Sequence, residues 1–196
     1  MIIKNETLIL PEGDFRCNVM EFDGNDVITL NTIYNNWRTL CDNLGKVNAR
    51  AVNLPEGLSE TAFCIAKNMW RITSSIPGAN SSFDCYDYAG VRGENRVQVK
   101  ACSVLPDLTS FGPTSEWDRI FFVDFYREGM WDGSFDVYEV DTQDIYQFPV
   151  NINQTVADQK ALGRRPRFSI YGGLIQSGRY ISKETFKIEA DGIKII

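Results

Sequence analysis

The sequence predicts an α+β fold: a mixed, largely antiparallel β-sheet flanked by two main helices. Three observations lead there. Apolar residues recur at three- and four-residue steps in two early stretches, about 30–44 and 55–69. After residue 82 the pattern changes to short alternating or continuous apolar runs. Clusters of Gly, Pro, Asn and Asp punctuate both regions. With 196 residues the chain is long enough for one sizeable core, so residues 1–196 are expected to form a single domain.

Residues 1–29 alternate between the turn signals Pro11-Glu12-Gly13 and Asp23-Gly24-Asn25, as short strands or an irregular arm would. Leu30, Ile33, Tyr34, Trp37, Leu40, Cys41 and Leu44 mark the first helix, with Gly45 placed for a C-cap. The second begins at Leu54-Pro55-Glu56, Pro55 fitting its first turn, and buries Leu58, Ala62, Ile65, Ala66 and Met69. Glu56 and Glu60 fall one helical turn apart on the same side. Ser- and Gly-rich residues 73–82 end it. A hairpin follows, residues 82–87 and 96–102 joined by a turn at 90–95. Residues 118–126 and 135–140 read as further strands, 153–162 as a short helix, and the last thirty residues as short strands and turns.

Composition narrows the chemistry. Hydrophobic residues make up 43% and charged residues 23%, which excludes a disordered chain, and no apolar run of about 18 residues offers a membrane span. The first residues show no signal-peptide pattern. There is no histidine, so Ser-His-Asp and Cys-His nucleophiles and His-ligated zinc are excluded. An enzyme of this composition would use carboxylates, lysine, arginine and a hard metal ion. The five cysteines are widely spaced without a CxxC pair, as small core residues in a reducing compartment would be, and the expected location is cytoplasmic. Trp37, Trp70, Trp117 and Trp131 are expected in the core. Tyr171-Gly172-Gly173 is too short for a phosphate loop, so no nucleotide cofactor is expected.

The hairpin carries the chemistry. Gln98 and Lys100 share one face of a strand and Val97 and Val99 the other, while Asp84 on the preceding strand comes close to the first pair. A lysine, a carboxylate and an amide in an apolar sheet are costly unless they pair with one another or hold a metal. Asp87, three residues after Asp84, faces the opposite side. An ion pair between Asp84 and Lys100 is the structural alternative to a metal site.

Ser82-Phe83-Asp84 and Gln98-Val99-Lys100-Ala101 together resemble the two half-motifs of the PD-(D/E)xK nucleases, in particular the type II restriction endonucleases. Asn48 to Glu60, Trp117-Asp118 and Gly163-Arg164-Arg165-Pro166-Arg167-Phe168 extend the resemblance over roughly residues 45–170. It implies a restriction-endonuclease-like core over about 45–145 and Mg²⁺-dependent hydrolysis of a phosphodiester. Asp84 and the Val99 carbonyl would hold the cation, with Lys100 stabilising developing negative charge or orienting the attacking water. The usual second carboxylate is an amide here, Gln98. Glu60 on the second helix would supply the missing charge, Glu94 in the hairpin turn being the local alternative.

Net charge is −6, yet residues 159–187 hold seven basic residues against one acidic. This segment is expected to contact double-stranded DNA through Lys160, Arg164, Arg165 and Arg167, with Arg50, Asn53, Thr109 and Ser110 as secondary contacts. A homodimer matches a palindromic site with two scissile bonds. The expected function is a type II site-specific deoxyribonuclease of restriction-modification defence. The alternatives are a mismatch- or structure-specific repair nuclease and an inactive DNA-binding protein.

Overall fold

The computed structural model describes residues 1–72, 76–79 and 81–196. In chain order the elements are β1 (Ile2–Leu10), β2 (Gly13–Glu21), α1 (Gly24–Lys46), α2 (Glu56–Lys67), β3 (Trp70–Ile72), β4 (Cys85–Tyr86), β5 (Arg96–Cys102), β6 (Thr109–Ser110) and β7 (Arg119–Asp124). They continue with β8 (Ser134–Val140), α3 (Thr142–Gln147), β9 (Pro149–Asn151), β10 (Gln154–Thr155), α4 (Val156–Ala161), β11 (Arg167–Phe168), α5 (Ile170–Gly173), β12 (Ser182–Ile188) and β13 (Ile193–Ile195). Among the described residues, nine strands form one sheet in the order β1-β2-β3-β4-β5-β7-β8-β12-β13. The β5–β7 ladder is parallel and the other ladders of this sheet are antiparallel. The fold is α+β with a mixed central sheet and helices packed on it, as the residue pattern predicts.

Several boundaries differ from expectation for identifiable reasons. The N-terminal arm is a regular hairpin, with Leu10 opposite Gly13 across a tight turn in which Gly13 takes φ +133°. Helix α1 begins at Gly24 rather than Leu30, because Asp23 and Asp26 form a reciprocal capping box and Val27 extends the buried stripe. It also runs past Gly45: Asn48 takes the left-handed conformation there, at φ 59°. Pro55 is the N-cap of α2 rather than a first-turn residue, and Asn68 ends that helix in the left-handed region. The stretch expected to follow α2 includes residues 73–75 and 80, which lie outside the described residues.

Helices α1 and α2 cover one face of the sheet, packing Trp37, Leu58 and Phe63 on Val97, Val99, Phe121 and Phe135. Strand β5 divides its side chains as period two requires: Cys102 joins a second core with Ile120, Phe122, Phe111, Trp117, Phe168 and Ile170. A third cluster, with Leu8, Val19, Ile72 and Phe83, ties the N-terminal hairpin to the sheet. Phe63 and Phe121 touch with ring centroids 5.0 Å apart, and truncating either to alanine would cost about 3–5 kcal/mol. Trp37 and Trp117 are buried, whereas Trp70 and Trp131 are half-buried against the core edges. All five cysteines are buried and free, with the Cys64 and Cys85 sulfurs 3.0 Å apart.

Candidate active site

Asp84 sits between two anchors, Phe83 in the third core and Cys85 in the first. Its backbone is held on both sides: its N–H donates to the Val97 carbonyl at 3.0 Å, and its carbonyl accepts from the Ile72 N–H at 2.9 Å. Strand β4 pairs with β5 through Cys85 and Val97, so Asp84 falls beside Gln98. Its Oδ2 accepts the Val99 N–H at 2.8 Å and the Gln98 amide. Asp84 and Gln98 are both buried. Burial pushes the Asp84 carboxyl up, against the Val99 N–H and the Lys100 charge, which favour its ionised form.

Glu60 projects from α2 and is only 4% exposed. Arg71 on β3 meets it with Nε and Nη2, 2.7 and 2.6 Å from Oε2. Burial and the Asp84 charge raise the Glu60 carboxyl to about 7 despite that guanidinium. Lys100 is driven below the ordinary lysine range, first by burial, while Asp84, Glu60 and Glu56 favour its charged form and Arg165 opposes it. Glu60, Asp84, Lys100 and Arg71 therefore form one electrostatic neighbourhood. Glu94 lies in the exposed turn and acts on Arg119, and Asp87 is also bound to Arg119 at 3.0 Å. Neither belongs to this group.

Lys100 lines a cleft of about 510 Å³. Arg50 and Asn53, from the loop between α1 and α2, and Thr109 and Ser110 of β6 line it as well. The short β6–β11 ladder sets Arg167 opposite Ser110 and Phe168 opposite Thr109, bringing the basic segment to the cleft wall. Arg164, Arg165 and Arg167 are exposed and form no ion pair among the described residues. The rest of the basic zone is committed elsewhere. Lys160 donates to the Ser115 carbonyl and stands 4.9 Å from the ring centroids of both Trp117 and Tyr146. Arg179 pairs with Asp144, Lys183 with Asp136 and Lys187 with Asp132. Thr109 is buried and gives its hydroxyl to Asp107.

Two residues of this neighbourhood and one on the cleft were not singled out from sequence as site residues. Arg71 lies on a three-residue strand with no pattern around it. Glu56 is visible one turn before Glu60, and it adds negative charge at Glu60, Asp84 and Lys100. Asp107 lies in an irregular loop on the cleft. Among the described residues no three His, Cys, Asp or Glu side chains converge as a ready-made metal cage. The donors at hand are two carboxylates, an amide oxygen and a backbone carbonyl. That all-oxygen set fits a hard divalent cation that keeps several waters.

A lysine beside buried carboxylates, at the foot of an arginine-bearing cleft, is the equipment of a nuclease. The chain belongs to the Bsp6I restriction endonuclease family, whose profile matches residues 22–177. The type II restriction enzyme Bsp6I of Bacillus sp. (strain RFL6) is 29% identical over 144 residues, 72% of this chain and 76% of that protein. No solved structure matches the chain. The family match contains every candidate site residue and omits the sheet's outer strands β1, β2, β12 and β13.

Proposed function

We propose that this chain cleaves both strands of duplex DNA at a specific short site by Mg²⁺-dependent phosphodiester hydrolysis, as a cytoplasmic homodimer in restriction defence. The proposal takes residues 1–196 as a single nuclease domain with its catalytic core over about 45–145. The observation that carries it is the placement of Asp84: its carboxylate is fixed to β5 at the Val99 N–H, in the electrostatic field of Lys100 and Glu60.

Asp84, Glu60 and the Val99 carbonyl would hold the cation. When bound, Mg²⁺ polarises the phosphoryl group and makes a water molecule more acidic. Asp84 keeps its orientation through two donated hydrogen bonds, one from the rigid strand backbone. Lys100, half-buried in the field of two carboxylates, neutralises charge that develops on the phosphate as water adds and an ester oxygen leaves. Gln98 fixes Asp84 Oδ2 and leaves its own carbonyl oxygen available to a water. Arg50, Asn53 and Ser110 line the cleft and Arg167 faces Ser110; with Arg164 and Arg165 on the same segment, they would supply donors for phosphates and base edges. Lys160 contributes by holding the loop at Ser115.

The test is digestion of phage DNA with and without Mg²⁺. Discrete fragments that require the cation are expected, and sequencing their ends gives the site. A smear, or nicking confined to mismatched duplexes, would overturn site specificity. Intact DNA with folded protein and Mn²⁺ also present would overturn the nuclease reading.

A further inference from the structure

Asp107 is buried beside the cleft and is surrounded by donors. One comes from its own loop, the Thr109 hydroxyl at 2.9 Å. Three come from a segment more than sixty residues later: the Ser169 hydroxyl at 2.5 Å and the N–H groups of Ile170 and Tyr171 at 2.9 and 3.1 Å. Four donors on one carboxylate make its burial tolerable, and charge-assisted bonds of this kind are among the stronger ones. They join two stretches that meet again at the β6–β11 ladder and at the Phe111 N–H, which donates to the Pro166 carbonyl at 3.1 Å. Beneath them Phe168 stacks on Phe111 and Phe148, with centroids 5.6 and 4.0 Å apart.

The loop fastened in this way begins at Ser103, directly after β5 and three residues beyond Lys100. The segment fastened to it carries Arg164, Arg165 and Arg167, whose side chains have no ion-pair partners among the described residues. We infer that Asp107 is a positioning residue for DNA recognition: it locks the arginine segment to the cleft wall, fixing where the arginines stand relative to Lys100. This inference rests on the proposed DNA contacts of those arginines. Asp107 itself, an anion with its oxygens occupied by donors, has no role against phosphate.

Asp107→Asn preserves shape but turns one acceptor oxygen into a donor, facing groups that are themselves donors. The probe is a duplex carrying the site mapped on phage DNA, compared with a scrambled duplex of equal length, with Ca²⁺ replacing Mg²⁺ for binding. Binding of the site duplex is expected to weaken at least tenfold and that of the scrambled duplex less than threefold. In cleavage assays the loss should lie in KM, with kcat within threefold. Ser169→Ala removes one donor together with the cap on the Gly172 N–H, should keep the fold and should shift the site duplex about threefold the same way, so it decides the matter if the asparagine variant does not fold. Unchanged site binding in both variants, or equal losses on both duplexes, would overturn the inference. An Arg164→Ala/Arg165→Ala double variant separates the two levels. If it leaves binding untouched, the DNA-contact reading fails. If it weakens binding while the Asp107 and Ser169 variants do not, only the role of Asp107 fails.

Discussion

The guanidinium of Arg71 rests on the Glu60 carboxylate, two of its nitrogens within 2.7 Å of the same oxygen. With Asp84 and Lys100 alongside, two negative and two positive groups share the site. With an amide at position 98, Glu60 is the carboxylate proposed to complement Asp84 for a divalent cation. Glu60→Gln should therefore lower Mn²⁺ affinity about tenfold or more in a calorimetric titration without DNA. Unchanged affinity would remove Glu60 from the ligand set.

The raised Glu60 carboxyl sets a pH dependence with a defined sign. Its folded-state value of about 7 exceeds the ordinary 4.5, so the folded protein holds this proton more tightly than the unfolded chain. The resulting stabilisation is complete below about 4.5 and is lost as pH rises through about 7. In metal-free buffer the melting temperature of the wild type should fall relative to Glu60→Gln across that window. Divalent-cation affinity should move the other way, because the ionised carboxylate is the proposed ligand. Parallel melting curves for the two proteins would contradict the assignment.

Lys100 is half-buried at the cleft, in the field of the Asp84 and Glu60 carboxylates. Lys100→Ala should lower the cleavage rate by about 10²–10³-fold, the scale for removing one preorganised donor at developing charge. Binding of a site-containing duplex in Ca²⁺ should persist. Near-normal cleavage by this variant would move the catalytic centre elsewhere.

Arg164 and Arg165 are exposed near the wall strand and form no ion pair among the described residues. If both reach phosphates, replacing them with alanine should reduce the slope of log K against log salt by about 1.8. An unchanged slope would place the phosphate contacts on other residues.

Gln98→Glu would put a carboxylate where an amide now donates to Asp84 Oδ2. Two carboxylates at that distance repel, so the metal-free variant should melt lower than wild type. Added Mg²⁺ should raise its melting temperature more than it raises that of wild type. Equal shifts in the two proteins would show that position 98 does not face the cation.

The hairpin was legible because two short-range signals coincide there. Period two sends Val97 and Val99 to one core and Gln98 and Lys100 the other way, and the 90–95 turn folds Asp84 back on them. Glu60 came from the family resemblance, helical phase doing no more than setting it on the same side as Glu56. Arg71 was not legible, since its strand pairs with residues distant in sequence and has no periodicity of its own. Asp107 was hidden similarly: its partners at 169–171 are fixed by tertiary packing, not by local spacing. Charge counting grouped Lys160, Lys183 and Lys187 with the arginines, yet each is taken by a partner inside the fold. A run of like charges reports composition, and only folding determines which charges are left over.

The parallel β5–β7 ladder has a consequence for how such a protein diversifies. Parallel neighbours cannot be joined by a tight turn, so the chain must travel from one end of the sheet back to the other between them. Here that detour, residues 103–118, supplies much of the cleft wall. Its two ends are pinned by the sheet and Asp107 and β6 fasten it to the arginine segment, while the residues between these anchors can lengthen, shorten or change composition. New target preferences could arise there by insertion or drift while Asp84 and Lys100 keep their places, so the proposed hydrolytic site and the choice of target can evolve on separate clocks.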